Sequence, residues 1–144
     1  MTTNFVQVTP FLGAKNLEEA IAFYRDLLGF GLFVSGGGYA YLEREHVGLR
    51  LLELDESEAM LGRVVHIYID VRDADTLFAQ MSEAIETLQS DRIGAPKDQP
   101  YGQREFWLRD PNGHLITFGQ GIGQNAKQWD YRGSEVTKIG FPSA

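Results

Sequence analysis

Apolar residues at Leu17, Ala20, Ile21, Tyr24, Leu27 and Leu28 recur three and four positions apart, the spacing of one helix face. Asn16 stands where an N-cap would accept a first-turn N–H, Glu19 follows as its capping-box partner, and Gly29 suits the C-terminal stop. A second stripe begins near Ala74, with Asp73 as N-cap and Leu77, Phe78, Met81, Ile85 and Leu88 on one face. Elsewhere apolar and polar residues alternate, the period of a strand with one covered face. Phe5 to Leu12 and Val64 to Val71 are such segments, one before each helix. Gly31 to Ser35, Tyr39 to Glu43 and Val47 to Leu54 follow the first helix; Arg104 to Arg109 and His114 to Gly119 follow the second. Between the last two lies Asp110-Pro111-Asn112-Gly113, a turn sequence.

Displacing the chain by 57 residues lays Ala14 to Ile21 over Val71 to Phe78 without a gap, and both caps coincide. The pattern predicts an α+β chain of tandem βαβββ modules, about 5–54 and 64–119, in one domain spanning 1–120, with 121–144 as a C-terminal extension. Alternation assigns the faces. Val65, Ile67, Ile69 and Val71 would pack beneath a helix, as would Val6, Val8, Pro10 and Leu12, and Ala40 and Leu42. The opposite faces carry Thr9, Phe11, Tyr39, Tyr41, His66 and Tyr68, a polar and aromatic set that reads as a cavity wall. With Phe106 and Leu108 in the core, Glu105 and Trp107 aim at that cavity.

Charge narrows the function. A net charge of −7 over 144 residues argues against nucleic acid as partner and favours a cationic ligand. The absence of cysteine removes disulfides and thiolate chemistry. No apolar run reaches the roughly 18 residues of a membrane helix, and the first residues lack the basic and apolar stretches of a secretion signal, so a cytoplasmic location is expected. Gly36 to Gly38 is followed by a strand pattern and not by a helix start, so it is not a phosphate loop.

Val8-Thr-Pro-Phe-Leu12, Phe23-Tyr-Arg-Asp-Leu-Leu-Gly-Phe30 and Pro100-Tyr-Gly-Gln-Arg-Glu-Phe-Trp-Leu-Arg-Asp-Pro-Asn-Gly113 resemble the vicinal oxygen chelate superfamily, which includes glyoxalase I, extradiol dioxygenases and bleomycin-resistance proteins. They look most like the last. The resemblance implies a half-barrel sheet around a cavity, in a homodimer that exchanges its first strand at a hinge matching Pro10. Metal-dependent members carry one ligand in each of four strands. Those places fall here on Thr9, a residue near Leu51, His66 and Thr117, or on Glu53 if the third strand slips by two. Of these His66 is a good ligand, with Glu53 the second donor if a divalent ion binds; one imidazole does not make a metal site. His46 and His114 fall at hairpin turns and are expected to be solvated.

In bleomycin-resistance proteins aromatic side chains near Tyr39, Tyr68 and Tyr101 sandwich the flat tail of the drug. The expected ligand-binding set is therefore Phe33, Tyr39, Tyr41, His66, Tyr68, Tyr101, Trp107 and Thr117, with no metal, no cofactor and no catalytic residue. Trp129, Tyr131, Ile139 and Phe141 would dock on the partner subunit or cap the cleft. The implied function is sequestration of a cationic aromatic antibiotic without chemistry. The alternative is a glyoxalase-type lyase or isomerase, in which a divalent ion polarises vicinal oxygens and a carboxylate such as Glu53 or Glu105 moves a proton.

Overall fold

The computed structural model describes residues 4–55, 57 and 63–126. They form two compact units: Met1–Val65 with Asp110–His114, and His66–Arg109 with Leu115–Ala144. Each carries one four-stranded sheet, and the α+β class holds. The extension residues Trp129, Tyr131, Ile139 and Phe141 lie outside the described residues.

In the first unit the strands are β1 (Phe11–Ala14), β2 (Gly31–Gly36), β3 (Tyr39–Arg44) and β4 (Val47–Glu53), ordered β1-β4-β3-β2 with β1 parallel to β4. Helix α1 (Leu17–Ala22) starts as expected, the Asn16 side chain accepting the Glu19 N–H at 3.0 Å. It continues into a π-helical turn (Phe23–Leu27) closed by the Leu28 N–H on the Phe23 carbonyl at 3.2 Å, and ends at Gly29 with φ +74°. Its apolar stripe is buried with Leu12, Ala40, Leu42, Leu49 and Leu51.

The second unit repeats the plan. Strands β5 (His66–Asp70), β6 (Ile93–Asp98), β7 (Gln103–Arg109) and β8 (Leu115–Gly121) run in the order β5-β8-β7-β6, with β5 parallel to β8. Asp73 caps α2 (Ala74–Gln80) by accepting the Thr76 N–H at 3.0 Å, which holds its carboxyl below the usual range. Phe106 stacks on Phe118 with centroids 4.6 Å apart, and Phe78 meets Phe106 edge-on at 5.2 Å. The repeat extends to a detail absent from the hydropathy pattern. In each module a side chain at the end of the last strand accepts the first N–H of the helix: Glu53 from Leu17 at 2.8 Å, Gln120 from Ala74 at 2.9 Å.

Four expectations need correction. Of the segment Phe5 to Leu12 only Phe11 and Leu12 lie in a strand, β1; residues 4–10 lie outside it, and Val6 and Val8 are over nine-tenths exposed instead of packed inward. Pro10 has no N–H to donate to a ladder, but its carbonyl accepts the Arg50 N–H at 2.9 Å, and the paired strand runs on from Phe11. The second helical stripe is split at Met81 (φ −99°), with α3 (Ser82–Ile85) beyond it. Strand β6 was not expected, because Gly94, Pro96, Lys97 and Asp98 break the alternation; it is an edge strand with a bulge between Gly94 and Lys97.

His114 is the fourth. It is 2% exposed, not solvated. Its Nε2 donates to the Gly13 carbonyl at 2.8 Å and its Nδ1 accepts the Val65 N–H at 2.9 Å. Beside it the buried Asp110 carboxylate accepts the Tyr24 hydroxyl at 2.8 Å and the N–H groups of Asn112 and His114. Burial, with Asp110 adjacent, pushes the Tyr24 phenol well above its ordinary value. A turn of Asp110 to Gly113 is thus also a buried hydrogen-bonding node of the first unit.

Candidate functional site

Each sheet has one face under its helix and one face away from it. In the first unit the residues away from the helix gather on Arg50. Leu51, beside it, is fully buried, so the strand presents Arg50 and not Leu51 at the place sequence reasoning put near Leu51. Arg50 Nε donates to Thr9 Oγ1 at 2.8 Å and one Nη donates to the Tyr39 hydroxyl. Its guanidinium lies 4.8 Å from the Tyr41 ring centroid and 5.9 Å from that of Phe11, within cation–π range. Tyr41 in turn donates to Glu43 Oε1 at 2.8 Å, which raises its phenol, and accepts Gln7 Nε2 at 3.1 Å. Gly48 makes room for this ring: a Cβ there would meet the Tyr41 hydroxyl at 2.7 Å.

The corresponding face of the second unit gathers on Glu105, which is 9% exposed. Tyr101 donates to its Oε1 at 2.6 Å, and the Tyr68 hydroxyl lies over Gly119, the cross-strand partner of Glu105. Both phenols are pushed up, Tyr68 by burial first and Glu105 second, Tyr101 by the Glu105 bond. Tyr68 lies across Gly119, where a Cβ would come within 1.7 Å of its hydroxyl; Trp107 lies across Gly94, its indole nitrogen 1.9 Å from the equivalent point. His66 Nε2 and Thr117 Oγ1 are hydrogen-bonded at 2.9 Å, and Thr117 is the cross-strand partner of Trp107.

Of the residues expected to bind ligand, Tyr39 and Tyr41 meet at Arg50, and Tyr68 and Tyr101 meet at Glu105. His66, Thr117 and Trp107 share that second face. Phe33 stands apart, at the bulge of the exposed edge strand β2 and 65% exposed. Arg50 was missed, although its charge inside the apolar run Val47 to Leu54 was the available signal.

The places that would hold a divalent ion do not fit one. Thr9 accepts a hydrogen bond from the Arg50 guanidinium, itself a cation, and the Thr117 hydroxyl is bonded to the one imidazole. Glu53 is turned to the N-terminus of α1. Among the described residues no three His, Asp or Glu side chains gather closely enough for a metal.

The model of the glyoxalase/bleomycin resistance protein/dioxygenase superfamily matches residues 5–118. The chain belongs to this superfamily. A superfamily relative, the bleomycin resistance protein of Geobacillus stearothermophilus, is 27% identical over 81% of this chain and 98% of its own length. The bleomycin-binding protein of Streptomyces verticillus, solved with copper(II)-bleomycin, superimposes with a TM-score of 0.69 at 25% identity, covering 85% of this chain and 99% of that one. A further bleomycin-binding protein, solved with bleomycin, gives a TM-score of 0.66 at 26% identity over 81% of this chain and 99% of its own.

Proposed function

We propose that this superfamily member is a small-molecule-binding protein that sequesters a cationic aromatic antibiotic of the bleomycin class, or a related ligand, without chemistry and without a cofactor. The observation that carries this reading is the second face, where Tyr68, Tyr101 and Trp107 stand around the Glu105 carboxylate, which Tyr101 holds by a hydrogen bond. Flat rings in fixed orientation bind a planar ligand at low ordering cost, and the carboxylate suits a cation. Micromolar binding needs about 8 kcal/mol. A single aromatic pair adds about 0.5–1.5 kcal/mol beyond area burial, so several must act together. Relatives named for bleomycin resistance and bleomycin binding agree with it. The alternative, a glyoxalase-type lyase dependent on a divalent ion, lacks support in donors that are already engaged with one another.

The same reading includes a homodimer formed by strand exchange. Its support is the segment before Pro10, where Phe5, Val6 and Val8 are 97%, 92% and 94% exposed and the backbone has no strand partner among the described residues. No helix among the described residues is long and apolar enough to cross a membrane, and the acidic charge disfavours nucleic acid; a cytoplasmic protein fits both. Calorimetric titration with bleomycin tests the function: saturable heat in the micromolar range is expected, and none up to millimolar ligand overturns it. Sedimentation velocity of the protein and of Phe5→Asp tests the dimer, which the substitution is expected to dissociate.

A further inference from the structure

On the first face a single arginine collects the surrounding polar and aromatic groups, and none of them neutralises it. Arg50 is half-buried, donates to two hydroxyls and lies against two rings, and among the described residues no carboxylate stands within ion-pair distance of it. Glu43, the nearest acid in the network, is engaged by the Tyr41 hydroxyl. A cation withdrawn from water is costly unless an anion meets it. Of the five N–H bonds of a guanidinium, the Thr9 and Tyr39 bonds use one on Nε and one on an Nη, which leaves three to meet an incoming carboxylate.

From this geometry we infer that the Arg50 face is an anion-binding site for an aromatic carboxylate. The guanidinium takes the carboxylate, and the rings of Phe11, Tyr39 and Tyr41 take the flat body of the molecule. Selectivity follows from how firmly the arginine is held. Thr9 and Tyr39 fix the guanidinium from two sides while Tyr41 lies against it, so little side-chain freedom remains to be lost on binding. A compact inorganic anion would gain the charge but not the rings. A neutral aromatic would gain the rings but leave the arginine unmatched. Tyr39 and Tyr41 also belong to the set expected to bind the antibiotic, but this inference rests on Arg50 and a ligand of the opposite charge, so benzoate tests it separately from bleomycin.

The test uses the full chain and four probes: benzoate, its neutral isostere benzamide, inorganic phosphate and bleomycin. Titrations are followed by tyrosine fluorescence and by NMR shifts of the backbone amides of β3 and β4. Benzoate is expected to saturate at millimolar concentration, with benzamide and phosphate each about tenfold weaker or worse, a difference of about 1.4 kcal/mol. Arg50→Gln abolishes benzoate binding, while Arg50→Lys, which keeps the charge but loses the planar fork, weakens it about tenfold. Melting curves of both variants report whether the fold survives. Benzoate that fails to saturate the wild type, benzamide or phosphate binding as well as benzoate, or unchanged benzoate affinity in a folded Arg50→Gln variant would each overturn the inference. The bleomycin arm reports on the other face: its failure beside a positive benzoate result sinks the sequestration reading alone.

Discussion

Thr9 with Arg50 and His66 with Thr117 occupy equivalent places in the two modules. In each pair a threonine hydroxyl is hydrogen-bonded to a nitrogenous side chain, but the two residue types have changed strands. The two faces built around these pairs also differ in sign. One is centred on a guanidinium backed by rings, the other on a carboxylate held by the Tyr101 phenol. A second contrast lies in the hairpin turns. The turn between β3 and β4 leaves His46 exposed and puts Glu45 at φ 53°, whereas the turn Asp110–His114 buries its acid and its histidine within the first unit. A duplicated module thus keeps its strands and caps while its two faces and two turns take up separate work.

The largest effect is expected from breaking the turn contrast. Asp110→Ala removes an acceptor of three hydrogen bonds and strands the Tyr24 hydroxyl, so urea denaturation should show a loss of about 3 kcal/mol or more. His114→Ala should cost about 2 kcal/mol, through the orphaned Val65 N–H and Gly13 carbonyl. His46→Ala at the exposed turn should stay within about 0.5 kcal/mol. Equal losses at the two histidines would dissolve the contrast.

The faces separate next. Gly119→Ala must displace the Tyr68 ring and should weaken bleomycin binding about tenfold, while Gly48→Ala displaces Tyr41 and should weaken benzoate more than bleomycin. The smallest effect is on pH. Because the folded-state value of Tyr24 is raised, its neutral phenol contributes stability that is complete below the ordinary value of about 10 and is lost as pH rises beyond it. Tyr24→Phe should flatten that alkaline decline; thermal melts across the range would check it.

What could be read from the sequence was local. Asn16, Asp73 and Gly29 act on their own neighbours, and their roles followed from residue type alone. Most strands were legible too, since alternation records a covered face. The failures came where a distant partner decides. Val6 and Val8 alternate as a strand should but have no strand beside them among the described residues. Strand β6 pairs despite a composition that disfavours it, because β7 offers an open edge. At Arg50 the resemblance pointed only to a residue near Leu51, and in a strand one residue of register decides which face a side chain takes. His114 carries no periodic signal, so nothing in the pattern distinguished it from His46.

Five residues of the later module, Asp110–His114, complete the first unit. The two halves of the gene therefore do not encode two separable proteins. A fragment ending at Val65 would lack the acceptor for the Tyr24 hydroxyl and the imidazole that ties Gly13 to Val65. The first unit is therefore incomplete in any chain that stops short of residue 114.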